Sequence, residues 1–198
     1  MRITDLLTKE TIAMDLAAGS KETVIDELVN QLDAAGKLTD KEAFKENILA
    51  REQQSTTGIG EGIAIPHAKS AAVKHPAIAF GRALNGIDFE SMDGQPANLF
   101  FMIAASEGAN DAHLEALSRL ATFLMDEQFR EKVLAADSKE AVLLAVSDKE
   151  TEVEGPEEET VATDDVPDTA GKRILAVTAC PTGIAHTYMA AEKLNDRA

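Results

Sequence analysis

The chain has 198 residues, 44% of them hydrophobic, enough for one well-buried core and part of a second. Its net charge of −16 argues against nucleic acid or an anionic membrane surface as a partner and suits basic proteins instead. A single cysteine excludes an internal disulfide, as expected in a reducing, cytoplasmic compartment.

In chain order, Met1 to Ile12 is charged throughout and has no apolar h-region, so no signal peptide is expected. No run is long and apolar enough to cross a bilayer. Residues 1–147 read as one α/β domain. Ser20 is a candidate N-cap, followed by Val24, Ile25, Leu28, Val29 and Leu32 at helical spacing, with Gly36 as the stop. Thr39 and Glu42 have capping-box spacing and open a helix presenting Ala43, Phe44, Ile48 and Leu49. The glycine-rich run Gly58 to Gly62 predicts a loop. Ile63 to Ile65, Ala77 to Ala83 and Leu99 to Ala104 are strand candidates, the last a near-continuous apolar run suited to a buried strand. Asn85-Gly86 and Asp93-Gly94 are turn signals between strands. A helix is predicted from Asp111, carrying Leu114, Leu117, Leu120, Ala121 and Leu124, then two short ones at 127–135 and 139–146.

Composition changes at residue 148. Residues 148–171 hold ten acids and one base, −9 of the −16, with Pro156, Pro167 and almost no bulky apolar side chain. Such a stretch cannot bury enough surface to offset the cost of ordering, so an acidic, disordered, extended linker is expected. Residues 172–198 then read as strand, small-residue turn and helix: Arg173 to Thr178, Cys180 to Thr187, Thr187 to Arg197. This is the opening of a second α/β domain, too short to fold alone, and is expected to be a truncated part of a longer protein.

Two nucleophiles flank the linker. His67 ends the run Gly58-Ile59-Gly60-Glu61-Gly62-Ile63-Ala64-Ile65-Pro66-His67. Pro66 fixes the local backbone, and Gly60 and Gly62 let bare N–H groups approach an anion. A neutral imidazole near pH 7 is a good nucleophile toward phosphorus. The ordinary reading is a loop histidine beside glycine turns. Cys180 stands where a strand ends and a helix begins, a place where backbone N–H groups favour a phosphate and a thiolate. Gly183, Ile184 and Ala185 keep this loop open, while Thr182, His186 and Thr187 supply donors. A free cysteine acting as a small buried hydrophobe is the alternative. A tyrosine-phosphatase-type loop needs an arginine six places after the cysteine, where this chain has His186. Lacking that guanidinium, the loop suits phosphoryl passage better than hydrolysis. Arg51, just ahead of the glycine run, could clamp phosphate oxygens, although a surface ion pair is the simpler reading. His113, on the face of Leu117 and Leu120, reads by default as a buried, hydrogen-bonded histidine. The four histidines lack metal-site spacing, no phosphate-binding Gly-x-x-x-x-Gly-Lys run exists, and no metal or cofactor is expected.

The run Arg51-Glu52-Gln53-Gln54-Ser55-Thr56-Thr57 through Pro66-His67 closely resembles the enzyme IIA domain of the fructose/mannitol class in the bacterial phosphoenolpyruvate-dependent sugar phosphotransferase system. The resemblance continues through Asp93-Gly94-Gln95-Pro96, Leu99-Phe100-Phe101 and His113-Leu114-Glu115-Ala116-Leu117, and covers residues 1 to about 147. Val177-Thr178-Ala179-Cys180-Pro181-Thr182-Gly183-Ile184-Ala185-His186-Thr187 resembles the start of a fructose-type enzyme IIB domain. The resemblance implies a mixed β-sheet flanked by helices. It implies that His67 takes a phosphoryl group from the phosphocarrier protein HPr, that Arg51 and His113 support it, and that Cys180 receives it as phosphocysteine on the way to the sugar. It further implies a membrane enzyme IIC as partner, at the inner face of the membrane, and a shallow apolar rim around His67 for docking. Fructose is the expected sugar, with mannitol or a related one as the alternative. A regulatory module signalling through its phosphorylation state is the rival function.

Overall fold

A computed structural model describes residues 2–108 and 110–154, which belong to a first compact unit; the expectations for the rest of the 148–171 linker and for 172–198 lie outside these residues. The elements are α1 (Ile3–Leu6), β1 (Leu7–Ala13), α2 (Lys21–Ala34), α3 (Lys41–Glu52), β2 (Gly58–Gly60), β3 (Ile63–Ala64), β4 (His67–Ser70), β5 (Ala77–Ile87), β6 (Ala97–Ser106), α4 (Asn110–Leu124), α5 (Glu127–Ala135) and α6 (Lys139–Glu154). The sheet order is β1-β5-β6-β3-β2, and β4 also pairs with β6. β1 is parallel to β5, β5 antiparallel to β6, and both β3 and β4 parallel to β6, so the sheet is mixed.

Alternation along the two central strands divides the apolar side chains between two layers. Ile78, Phe80, Leu99, Phe101 and Ile103 meet Leu120 and Phe123 of α4, Phe129 and Val133 of α5, and Val142 and Val146 of α6. Ala77, Ala79, Phe100, Met102 and Ala104 point the other way, onto Val24, Ile25, Leu28 and Leu32 of α2 and Phe44 and Ile48 of α3. Helices therefore cover both faces, as the resemblance implied.

Several local expectations change. Ser20 does cap α2, its hydroxyl taking the Thr23 N–H. The cap of α3 is Asp40, not Thr39; the Thr39 N–H and hydroxyl both go to the Ala72 carbonyl, at 2.8 and 3.1 Å. Gly58–Gly60 pairs with β3, so the glycine run is a hairpin whose two-residue turn, Glu61-Gly62, has φ of 53° and 77°. Positive φ at both positions is what a tight primed turn requires. Asn85-Gly86 is no turn but an irregularity inside β5, where Gly86 has φ 70° and the Asn98 amide bridges the Ala83 and Leu84 carbonyls. The end of the domain also moves: α6 runs past 147 to Glu154, through residues expected in the linker.

Glu150 supplies the reason for that extension. Its side chain is fully buried and accepts the Ile3 N–H and, at 2.6 Å, the Thr4 hydroxyl, with Arg2 at 3.5 Å. A carboxylate in an acidic stretch is thus a clasp between α6 and the start of the chain. Glu150→Ala orphans these donors and should lower stability by about 2–3 kcal/mol, read as an earlier urea midpoint.

Candidate functional site

β6 builds the site by pairing with two short strands in succession. Ile63 and Ala64 of β3 pair with Leu99 and Phe100; His67 to Ser70 of β4 pair with Ile103 to Ser106. Pro66 sits at the break, where its lack of an N–H costs no ladder bond, and its carbonyl accepts the Ile103 N–H at 2.9 Å. His67 is therefore the first residue of an edge strand, and its side chain is half-buried. Its Nδ1 lies 2.7 Å from the Ile65 carbonyl. A carbonyl can only accept, so Nδ1 carries the proton and Nε2 keeps the lone pair.

The His113 ring lies against it, centroids 5.5 Å apart and tilted by 46°. His113 is buried as expected but not satisfied: its Nδ1 has no hydrogen-bond partner among the described residues. Burial first, then the neighbouring His67 and Lys69, push its pKa from 6.5 down to about 4. Burial also lowers the His67 pKa; the bond to the Ile65 carbonyl opposes this, Arg51 reinforces it and Glu52 opposes it again. Both rings are consequently neutral at pH 7. One can attack phosphorus, and the other can approach a phosphoryl oxygen without an imidazolium beside it.

The surface ion pair considered for Arg51 is absent among the described residues. Its guanidinium instead donates to the Ser55 carbonyl at 3.1 Å, at the end of α3, where its charge reaches His67. Lys69 lies two residues beyond His67, hence on the same side of β4, and its charge reaches His113. Gly60 and Gly62 shape the hairpin, and the Asp93 carboxylate takes the N–H of Glu61, the residue between them, at 2.8 Å. Cys180, Thr182, Gly183, Ile184, Ala185, His186 and Thr187 lie outside the described residues. Exposed apolar side chains occur at Leu114, next to His113, and at Ile59, on the hairpin leading to His67.

Lys69 and Glu52 were missed by the sequence reading, yet each left a signal. Phe44, Ile48 and Glu52 recur every four residues, placing an acid on the buried face of α3. Lys69 follows from the two-residue repeat of a strand that was not foreseen.

The low His113 pKa has a consequence for stability. Unfolded histidine binds a proton near pH 6.5, whereas folded His113 resists it until about pH 4. Stability should therefore be full above 6.5 and fall as the pH drops toward 4, with His67 acting in the same direction. Urea midpoints across this range would measure the fall, and His113→Gln should flatten it.

Residues 5–149 match the family model of the phosphoenolpyruvate-dependent sugar phosphotransferase system, EIIA 2. Residues 175–198 match that of the PTS system, lactose/cellobiose specific IIB subunit. The PTS system fructose-specific EIIABC component of Bacillus subtilis is 59% identical over the whole chain, which spans 31% of that relative's length. The PTS system fructose-specific EIIA component of Haloferax volcanii is 43% identical over 72% of the chain and 94% of its own length. The crystal structure of nitrogen regulatory protein IIA-Ntr from Neisseria meningitidis superposes with a TM-score of 0.68 at 33% identity, covering 73% of the chain and 98% of that structure. With the mixed sheet, the paired histidines and the family match agreeing over the same residues, the chain belongs to the EIIA 2 family of the phosphoenolpyruvate-dependent sugar phosphotransferase system.

Proposed function

We propose that His67 accepts a phosphoryl group from phosphorylated HPr and passes it to the thiolate of Cys180, as one stage of fructose uptake. The observation that carries this reading is the Nδ1–H bond to the Ile65 carbonyl, which leaves Nε2 as the nucleophile of a half-buried ring. Nε2 attacks phosphorus in line; the P–N bond of the donor breaks as the new one forms. The proton on Nδ1 stays in place, and the Ile65 carbonyl stabilises the positive charge that the phosphorylated ring acquires. Arg51 and Lys69 offset charge on the phosphoryl oxygens. In the second step a Cys180 thiolate attacks the same phosphorus, the P–N bond breaks, and His67 returns to its neutral form. Gly183 and its neighbours, with Thr182, Ile184, Ala185, His186 and Thr187, form the receiving loop in this reading.

The exposed Leu114 and Ile59 supply apolar surface on which HPr and the enzyme IIB domain dock in turn. In this reading the shared polypeptide makes the second transfer intramolecular. The setting is cytoplasmic, at the inner face of the membrane where enzyme IIC shares the polypeptide; among the described residues no helix is long and apolar enough to cross a membrane. Incubation with HPr phosphorylated at histidine should add one acid-labile phosphoryl group to the intact chain. Addition of a complete enzyme IIB domain should move that group to the cysteine.

The likeness to IIA-Ntr favours a second reading, in which the phosphorylation state of His67 is itself the signal. A chain that takes up the group from HPr but never yields it to a complete IIB domain would support that alternative. Fructose is the sugar named for the two relatives, and uptake by membranes carrying the full-length protein would test it against mannitol.

A further inference from the structure

The geometry points to Glu52, with Lys21, as a positioning residue that holds the His67 imidazole in the orientation presenting Nε2. The inference rests on His67 being the phosphoryl acceptor. Glu52 is the last residue of α3 and is buried. Its Oε1 accepts the Thr57 N–H at 2.8 Å and its Oε2 the Thr57 hydroxyl at 2.6 Å. The Thr57 carbonyl accepts the Ile65 N–H at 2.9 Å, and the Ile65 carbonyl accepts the His67 Nδ1–H at 2.7 Å. One carboxylate therefore sets the place of Thr57, Thr57 sets the place of Ile65, and Ile65 aims the carbonyl that selects the tautomer.

The other side of Glu52 is closed by Lys21, whose Nζ lies 2.9 Å from Oε1, 2.7 Å from Glu90 and 5.1 Å from the centre of the Phe89 ring. Burial opposes ionisation of Glu52, but bonds from Lys21 and Thr57 outweigh it and hold its carboxyl below the usual range. A buried ion pair of this kind contributes little net stability compared with well-packed apolar side chains. Its distinctive effect is geometric, since both carboxylate oxygens are bound and neither can rotate freely. A misplaced carbonyl at Ile65 frees the ring to turn, and small misplacements at a reacting centre cost large factors in rate.

The test uses the chain labelled with ¹⁵N at histidine. Two-bond ¹H–¹⁵N correlations read the His67 tautomer, and the initial rate of phosphoryl uptake from phosphorylated HPr is measured in parallel. The wild-type ring should show the Nδ1–H form. Glu52→Gln should shift it toward the mixture of a free imidazole and slow uptake by about tenfold or more. Thr57→Val, which removes one bond and keeps the size of the side chain, should move both readouts the same way by a smaller factor. Lys45→Met, which breaks only the partly exposed pair with Asp26, should move neither. A folded Glu52→Gln chain with the wild-type tautomer overturns the inference, even if uptake slows. Should that variant fail to fold, Thr57→Val decides by the same criterion. A wild-type chain that takes up no label would remove the His67 reading, while the tautomer data still judge the positioning claim.

Discussion

Replacing His67 with alanine is expected to cut phosphoryl uptake from phosphorylated HPr to below about a thousandth of the wild-type rate. In the proposed reaction this side chain supplies the attacking atom. His113 is buried and its Nδ1 points at no hydrogen-bond partner among the described residues. His75 lies beyond β4 in an exposed segment. The variant should still fold, because the imidazole is half-buried at the start of an edge strand and gives up one hydrogen bond, to the Ile65 carbonyl. Matching amide spectra for the two proteins would establish this. His75→Ala should label like the wild type. Acid-labile label persisting in His67→Ala would end the assignment.

Arg51→Ala is expected to slow uptake by about two to three orders of magnitude, with His67 intact. The transferring group spreads negative charge over its oxygens, and a guanidinium held at the end of α3 by the Ser55 carbonyl can offset it without reorganising. Arg51→Lys retains the charge and loses the planar fork, so it should recover only part of the rate. A second readout separates this role from a general loss of fold. Arg51 is among the charges that hold the His67 pKa down, so its removal should raise that pKa and move the acid limb of the pH–rate profile upward. An unchanged profile together with an unchanged rate would place the guanidinium outside the site.

Much of the fold was legible because its signals are local. The spacing of Val24, Ile25, Leu28 and Leu32 marked α2 on its own, and Ser20 announced the cap. The apolar run at Leu99 to Ala104 identified the central strand β6, since only a strand covered on both faces tolerates such a sequence. What failed was local evidence contradicted by distant partners. Thr39 looked like a cap, but its polar groups are occupied by Ala72, thirty-three positions away. The acidic composition after residue 148 implied an extended chain, yet the Ile3 N–H and the Thr4 hydroxyl make Glu150 a buried acceptor. Gly60 and Gly62 suggested an anion cradle, and the N–H between them, that of Glu61, is taken by the Asp93 carboxylate, far along the chain.

By itself the sequence determined which residues are candidates for the chemistry: a histidine after proline, an arginine ahead of a glycine run, a second histidine at helical spacing, and a cysteine in a run of small residues. Side-chain type and spacing decide nucleophilicity and charge, and both can be read without coordinates. Only the tertiary structure decided the state of those residues. The Ile65 carbonyl chooses which nitrogen of His67 keeps its lone pair, and burial beside His67 and Lys69 keeps His113 neutral to about pH 4. Glu52 reaches the site through Thr57 and Ile65. Tautomer, solvation and aim depend on groups brought together by β6 and α3, and no local pattern records which of them will meet.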